Sequence, residues 1–370
     1  MSLRLRIPSS PLRVIVATLL FTTMDHPDAL PSADAGTAVR PGRLRSVLLA
    51  QPRWLGDVLL CTPAVHALRR AAPEARIVFV TEAPGAAALD GNADLDDILV
   101  PPVGALARLR FLRHLARTGY DAVVDFRSTG STAVMTGVTG APVRVGTHGR
   151  GFRNRAYTHI LPRETRPVYM ARQKLAMLMP LGVAIESADT RLRIAIGGAE
   201  RHHAGQVWDR AGFDAPVVAI SGASRMPGKR WGAVHWARVA DRIADAGGHI
   251  LLTHGPGERE QAAAIGALMR QPALLGSGTT TVRELAALYE RCVAWAGNDG
   301  GPKHIAAAAG APTVAVIRQG IGAVWNDAAD DRQAFVEVTG PCTECQAGPC
   351  IGRADEGRVA DLLLQRLASR

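Results

Sequence analysis

The 370-residue chain carries 43 lysines and arginines against 33 aspartates and glutamates, a formal net charge of +10. With 47% hydrophobic and 21% charged residues, it has the composition of a globular protein long enough for two domains. Aromatic residues make up only 5%, which argues against a groove that reads nucleic-acid bases, and an odd count of five cysteines argues against a secreted disulfide framework.

Residues 1–42 are predicted to be an extension outside the folded domains. Basic residues precede an apolar run at residues 14–21, the outline of an export signal, but the run is too short to span a bilayer. Met24 offers a second start of translation. We therefore expect a dispensable extension or a start assigned too early, rather than a signal that directs export.

From residue 45 onward, short apolar segments alternate with longer amphipathic ones. Strands are predicted at residues 46–50, 76–81, 98–100 and 121–125, and then at 217–221, 249–253, 292–296 and 313–317. Helices are predicted at residues 58–71, 106–118, 131–138 and 168–181, and then at 200–211, 233–246, 258–269, 282–291, 302–309 and 355–367. Short apolar strands separated by helices indicate parallel sheets covered by helices.

This alternation runs twice, with a mixed segment at residues 182–198 between the two runs. We therefore predict an α/β protein of two Rossmann-like domains with a cleft between them. The N-terminal domain is predicted at residues 43–185 and the C-terminal domain at 186–350. Residues 351–370 are predicted to form a helix that packs back onto the domains.

The strongest candidate site is the sequence GNDGGPKH at residues 297–304, between a buried strand and an alanine-rich helix. Two glycines allow close backbone approach, and the proline after them suits the first turn of a helix. A helix N-terminus binds anions, and the lysine and histidine that follow add hydrogen-bond donors. The segment predicts a phosphate site, and the alternative is an ordinary turn capped by Asp299.

A second loop, SGASRMPGKRW at residues 221–231, also follows a strand and combines small residues, hydroxyl groups and three cations. Such a loop can surround a diphosphate without a metal ion. By itself the segment would be a solvated basic loop. Its place at the carboxyl end of a strand, where open sheets bind ligands, favours the diphosphate.

The first predicted strand leads into the sequence WLGD at residues 54–57. Asp57 is either a cap of the next helix or a carboxylate that points into the cleft. A catalytic base must lie within reach of the proton that it takes. The second role therefore requires the second domain to face this edge of the first sheet.

Two further candidates are weaker. Glu258 follows a strand of the second half, and it either hydrogen-bonds a ribose or sugar hydroxyl or opens its helix. Cys342, Cys345 and Cys350 form a C-x2-C-x4-C cluster. A closed tetrahedral metal site needs a fourth ligand that is not obvious in the sequence, so we predict no metal site.

Taken in order, these motifs resemble the family 9 glycosyltransferases, the ADP-heptose:lipopolysaccharide heptosyltransferase group. The resemblance runs from about residue 47 to the final helix. It rests on Gly-Asp followed by Thr-Pro-Ala (residues 56–57 and 62–64), YDAVVD (120–125), Lys-Arg-Trp (229–231), and Asn-Asp followed by Gly-Pro-x-His (298–304).

The resemblance implies a GT-B fold, in which the first of two Rossmann-like lobes binds the acceptor and the second binds the nucleotide sugar. It implies an inverting transfer without a metal ion or cofactor, with Asp57 as the general base that deprotonates the acceptor hydroxyl. It assigns contacts with the donor to Ser224, Lys229, Glu258, Asp299, Gly300, Gly301 and His304. Arg53 and Trp54, beside Asp57, are candidates for the acceptor side.

The resemblance leaves the identity of the donor open. Family members commonly carry serine or threonine where this chain has Gly300, and often an apolar residue where it has Lys303. The implied donor is ADP-heptose or another nucleoside-diphosphate sugar. The implied acceptor is an anionic glycan or glycolipid such as a lipopolysaccharide core.

The positive charge fits anionic substrates, or it reflects an arginine-rich composition with no bearing on partners. We expect no nucleic-acid partner, because the basic residues form no block of the kind that marks a nucleic-acid tail. We expect a cytoplasmic enzyme, with a peripheral place on the cytoplasmic face of the inner membrane as a variant. Two alternatives stay open: a GT-B sugar-nucleotide epimerase and a non-catalytic, polyanion-binding relative.

Overall fold

The protein contains two parallel β-sheets, each of six strands. The computed structural model describes residues 40–276, 280–338 and 351–369. The first sheet contains β1 (Ser46–Ala50), β2 (Arg76–Val80), β3 (Asp97–Leu99), β4 (Ala122–Asp125), β5 (Val143–Thr147) and β6 (His159–Leu161), in the order β3-β2-β1-β4-β5-β6. The second contains β7 (Val217–Ser221), β8 (His249–Leu252), β9 (Leu274–Leu275), β10 (Ala294–Asn298), β11 (Thr313–Ile317) and β12 (Gln333–Glu337), in the order β12-β11-β10-β7-β8-β9. The two orders are equivalent, and the predicted pair of Rossmann-like units is confirmed.

Helices connect the strands of each sheet. The first lobe, built on the first sheet, contains α1 (Leu55–Leu59), α2 (Thr62–Ala71), α3 (Ala83–Leu89), α4 (Ala105–Thr118), α5 (Gly130–Val138) and α6 (Met170–Ala176). The second lobe contains α7 (Gly198–Ala211), α8 (Ala233–Asp245), α9 (Arg259–Leu268), α10 (Val282–Arg291), α11 (Gly301–Ala308), α12 (Gly322–Trp325) and α13 (Glu356–Ala368). The last helix, α13, packs on α8 and on β10, β11 and β12 of the second lobe.

Some elements differ from the prediction. The helix predicted at residues 58–71 is in fact two helices, α1 and α2, which meet at Cys61. Pro63 has no N–H to donate to the preceding turn, so it interrupts a continuous helix but fits the first turn of α2. The strands β5, β6, β9 and β12 and the helices α3 and α12 were not predicted, because they are short or carry glycine and charged residues that weaken the periodic pattern.

The two sheets occupy residues 46–161 and 217–337, which fall inside the two predicted domain ranges. The boundary between the domains stays a prediction. Residues 1–39, which hold most of the predicted extension, lie outside the described residues. Within the described ranges, no helix is long and apolar enough to cross a lipid bilayer.

A shared apolar cluster joins the two lobes. Leu59 and Leu60, at the end of α1, are buried in one cluster with Trp295 of β10 and Ile305 of α11. Burial of each such side chain stabilises the folded state by about 1.5–3 kcal/mol. The cluster therefore fixes α1 of the first lobe against α11 of the second.

Candidate active site

Each sheet reverses its strand order at one point: between β1 and β4 in the first lobe, and between β7 and β10 in the second. Ligands of open α/β sheets bind at the carboxyl ends of the strands at such points. The segment that contains Asp57 follows β1, and the two predicted phosphate loops follow β7 and β10. These three segments therefore lie at the two positions where the fold itself favours a ligand.

The loop after β10 leads directly into the N-terminus of α11. Gly300 is the N-cap of α11, and Gly301 and Pro302 form its first turn. A side chain at Gly297 has no room, because a Cβ atom there would lie 2.6 Å from the carbonyl oxygen of Ser221 in β7. Because β10 and β7 lie this close, the loops that follow them are side by side. The free N–H groups and the dipole of α11 create positive potential at the start of that helix.

Two lysines neutralise the carboxylate of Asp299 in this loop. Lys229 Nζ lies 2.8 Å from Asp299 Oδ2, and Lys303 Nζ lies 3.6 Å from Asp299 Oδ1. Burial alone would raise the pKa of Asp299, but the charges of Lys303 and Lys229 outweigh burial and hold that pKa below its ordinary value of 3.8. One positive charge therefore remains in surplus beside the start of α11.

The two lysines occupy different environments. Lys303 is only 1% exposed, and its ammonium group donates to the carbonyl oxygen of Trp325 and, at 3.3 Å, to Asn326 Oδ1. Burial lowers the pKa of Lys303 to about 8, although Asp299 opposes the shift. Lys229 is partly open to solvent, whereas Lys303, expected as a further hydrogen-bond donor at this turn, is a buried partner of Asp299.

Asn298, the last residue of β10, ties the two loops of the second lobe together. Its Nδ2 donates to the carbonyl oxygen of Gly222 at 2.6 Å, and its Oδ1 accepts from the backbone N–H of Trp231 at 3.2 Å. These two bonds hold both ends of the loop that carries Ser224 and Lys229. The sequence motif contained Asn298, but no role was predicted for it.

Helix α1 of the first lobe contacts the start of α11 directly. A Cβ atom on Gly56 would lie 2.6 Å from His304 Cδ2, and one on Gly301 would lie 3.5 Å from Leu55 Cδ2. His304 is buried, and burial holds its pKa well below the ordinary value of 6.5, so the imidazole is neutral at neutral pH. The backbone of α1 therefore lies against α11, and Asp57, the next residue after Gly56, lies near enough to Asp299 to feel its charge.

Asp57 is the third residue of α1, and its N-cap is Trp54. The predicted alternative, in which Asp57 caps the helix, keeps some support, because the Trp54 backbone lies close enough to lower the pKa of Asp57. Burial raises the pKa of Asp57 above 3.8, and the nearby Asp299 adds to the shift, while Lys174 and Arg127 oppose it. Asp57 is therefore a half-buried acid whose proton affinity depends on groups of both lobes.

Lys174, on α6, is a charged residue of this region that the sequence did not single out. It is buried, and its Nζ donates to the Phe126 carbonyl oxygen at 2.7 Å and to Gln51 Oε1 at 3.3 Å. Within the described residues, no carboxylate lies within 4.0 Å of it, so its charge acts on Asp57 through space. The one sequence feature that could have pointed to Lys174 is its position as a single lysine directly before the apolar run at residues 175–183.

The other predicted residues lie around this centre. Ser224 donates its backbone N–H to Gln261 Oε1 at 3.1 Å. Glu258 is the N-cap of α9, and its carboxylate accepts from the backbone N–H of Gly255 at 3.0 Å. Arg53 pairs with Glu82 at the surface, and Trp54 beside it is 58% exposed. Their contacts with donor or acceptor stay predictions.

A metal site finds no support in the part of the chain that the structure describes. No group of three or more His, Cys, Asp or Glu side chains there is arranged to hold a metal ion. Cys342, Cys345 and Cys350 lie outside the described residues, so the prediction made for them stays a prediction.

The geometry defines a class of protein: two Rossmann-like lobes that meet, with the half-buried acid Asp57 on one side and a glycine-rich helix start beside two lysines on the other. The chain belongs to glycosyltransferase family 9, the heptosyltransferase family, whose model matches residues 108–352. The protein is therefore a glycosyltransferase of the GT-B fold, as the sequence motifs predicted.

Relatives and solved structures agree with this assignment. The chain is 25% identical over 280 residues to lipopolysaccharide heptosyltransferase 3 of Escherichia coli, covering 72% of this chain and 81% of the relative. The structure of a family 9 glycosyltransferase from Veillonella parvula DSM 2008 superposes with a TM-score of 0.79 and 22% identity, over 88% of this chain and 98% of that one. The structure of E. coli ADP-heptose LPS heptosyltransferase II gives a TM-score of 0.72 and 19% identity, over 88% and 99%.

Proposed function

We propose that this enzyme transfers a heptose from ADP-heptose to an anionic glycan or glycolipid of the lipopolysaccharide core, with inversion at the anomeric carbon and without a metal ion. One observation supports the proposal: Gly56 contacts His304, so Asp57 lies next to the loop of Asp299, whose charge acts on the Asp57 carboxylate. The E. coli relatives, a lipopolysaccharide heptosyltransferase and an ADP-heptose LPS heptosyltransferase, support heptose as the sugar, ADP as the carrier and lipopolysaccharide as the acceptor class.

The donor diphosphate would occupy the start of α11. Cleavage of the bond between the anomeric carbon and the phosphate oxygen leaves negative charge on ADP, and that charge must be stabilised. The N–H groups at Gly300 and Gly301 and the ammonium of Lys229 supply the stabilisation. Because Lys303 stays bound to Asp299, Lys229 can turn to the diphosphate without leaving a bare buried carboxylate.

Asp57 would take the proton of the acceptor hydroxyl. At the same time, the hydroxyl oxygen would attack the anomeric carbon from the face opposite the diphosphate. One bond forms and one breaks in the same displacement, so the configuration inverts. A raised pKa makes Asp57 a stronger base than an exposed aspartate, and the charge of Lys174 opposes part of that rise. The acceptor would approach over Arg53 and Trp54, at the exposed end of α1.

The expected place of action is the cytoplasm or the cytoplasmic face of the inner membrane, where a nucleotide sugar and a growing core glycolipid meet. The names of the relatives as lipopolysaccharide enzymes support this place.

The test is a donor screen with a heptose-deficient lipopolysaccharide core as acceptor, in the presence of EDTA. We expect ADP release, an acceptor heavier by one heptose, and a proton NMR spectrum that shows the anomeric configuration opposite to that of the donor. No product with ADP-heptose, together with product from a UDP- or GDP-sugar, would refute the proposed donor. Retained configuration, or activity that EDTA abolishes and magnesium restores, would refute the proposed mechanism.

A further inference from the structure

The first lobe contains a strongly basic stretch in which Arg127 acts on Asp57 and the other arginines have no assigned part in the active site. Residues 98–163 include ten arginines and only two acids, Asp121 and Asp125. Asp121 accepts the backbone N–H groups of Arg45 and Ser46 at 2.6 and 3.0 Å, and Asp125 is buried and accepts from Tyr157 at 2.7 Å. Neither acid neutralises the surface, and seven of the ten arginines are exposed to solvent.

Helix α4 concentrates this charge on one side. Phe111, Leu112 and Leu115 pack into the first lobe's core. The opposite side presents a stripe at three- and four-residue spacing that we call the α4 outer face: Leu106, Leu109, Arg110, Arg113 and Arg117. Within residues 40–276, 280–338 and 351–369, its three arginines have no ion pair or side-chain hydrogen bond.

Exposed apolar side chains lie at the N-terminal end of the α4 outer face. Val103, just before α4, is 96% exposed, and Leu106 and Leu109 are 60% and 39% exposed. Phe152 is also exposed; it lies near Gly130, at the start of α5, and α5 packs beside α4. Cations combined with protruding apolar side chains are what an interfacial helix presents to an anionic bilayer, where the apolar groups enter the acyl boundary.

The fold orients this surface relative to the active site. Because β3 is parallel to β2 and β2 to β1, the start of α4 lies at the sheet edge from which β1 leads to Asp57. Exposed Trp54 belongs to the same edge. A membrane that contacts Val103 and Leu106 would therefore lie on the acceptor side of the cleft.

We propose that the α4 outer face, with Val103, docks the enzyme on an anionic lipid bilayer. The arginines bind phosphate headgroups, and the apolar side chains insert between them. Docking needs neither donor nor acceptor and so goes beyond the proposed function. Only one consequence of docking, the delivery of a membrane-bound acceptor to Asp57, rests on the proposed function.

The test is co-sedimentation of the full-length enzyme with vesicles of phosphatidylglycerol mixed with phosphatidylcholine, and with vesicles of phosphatidylcholine alone. Each arginine near an anionic surface contributes about fivefold to binding, so R110Q/R113Q/R117Q should lower the partition coefficient about a hundredfold. Leu106→Ser with Leu109→Ser should also weaken binding. Added salt should release the wild-type enzyme and have little effect on the triple arginine variant.

The matched control is R210Q/R259Q/R358Q, which removes the same charge from exposed positions of the second lobe. It should bind vesicles as the wild type does, and all variants should keep wild-type transfer to a soluble, delipidated acceptor. Equal loss of binding in both triple variants would overturn the proposal, since it would show a mere effect of net charge. Unchanged vesicle binding by R110Q/R113Q/R117Q, with loss of binding to the soluble core oligosaccharide, would overturn it in favour of a glycan surface.

Discussion

Replacement of Gly56 by alanine tests the contact that brings the two lobes together. The added Cβ would lie 2.6 Å from His304 Cδ2, whereas ordinary contact begins at 3.4 Å, so the two helices must separate by about 0.8 Å. His304 is buried and its ring packs edge-on near Trp325, which prevents a simple rotation away. Over-packing of this kind costs about 1–3 kcal/mol, partly offset by the higher helix propensity of alanine.

The catalytic effect should exceed the effect on stability. A displacement near 1 Å between reacting groups can lower a rate about a hundredfold, so kcat for ADP release should fall by about ten- to a hundredfold in Gly56→Ala. The control is Gly198→Ala at the start of α7, where the structure leaves open space around the added methyl group. The double variant Gly56→Ala/His304→Ala should recover the free energy of unfolding lost in the single variant. Wild-type kcat in Gly56→Ala would refute this account of the interface.

Three further predictions concern charged and polar groups of the site. The pKa of Lys303 is about 8 in the folded protein, and an unfolded lysine titrates near 10.5; between these pH values the unfolded state binds more protons. The free energy of unfolding of the wild type relative to Lys303→Met should therefore rise with pH in that window, by at most about 3 kcal/mol in denaturant titrations. A difference that does not change with pH would contradict the lowered pKa of Lys303. Lys174→Met should shift the acid limb of the kcat/KM profile to higher pH, because the lysine charge lowers the pKa of Asp57, while Lys174→Arg should leave the limb in place. Asn298→Ala should raise the Kd for ADP-heptose about tenfold in calorimetry, because the loop that carries Lys229 loses both of its hydrogen bonds to Asn298. An unchanged Kd would show that the loop keeps its conformation without these bonds.

Local sequence signals were enough to predict the core of the fold. Strands such as Val217–Ser221 and Thr313–Ile317 are apolar runs bounded by turn residues, so their positions were predicted without knowledge of their neighbours. β6, with three residues, and β9, with two, are too short to show a period. Their strand conformation comes from pairing with a neighbour, which the local sequence does not encode.

The candidate site divides in the same way. Asp57, Lys229 and Asp299 follow apolar strands, so the rule for ligands of parallel sheets placed them at strand ends from sequence alone. Only the family resemblance implied their arrangement across the lobes; local sequence does not encode it, because it depends on Gly56 fitting against His304. Local sequence also does not predict that Lys303 points into the protein, because a lysine at this position has the same neighbours in sequence whether its side chain faces a ligand or the core.

The central claim is that Asp57 is the base of a heptosyl transfer whose donor is held by the second lobe. The most direct measurement compares wild type, Asp57→Asn and, as a control on the exposed side of α7, Asp209→Asn, for kcat with ADP-heptose and for the Kd of ADP-heptose. We predict that Asp57→Asn lowers kcat by about 10²–10⁴-fold and leaves the donor Kd unchanged, while Asp209→Asn alters neither. Wild-type kcat in Asp57→Asn would contradict the account.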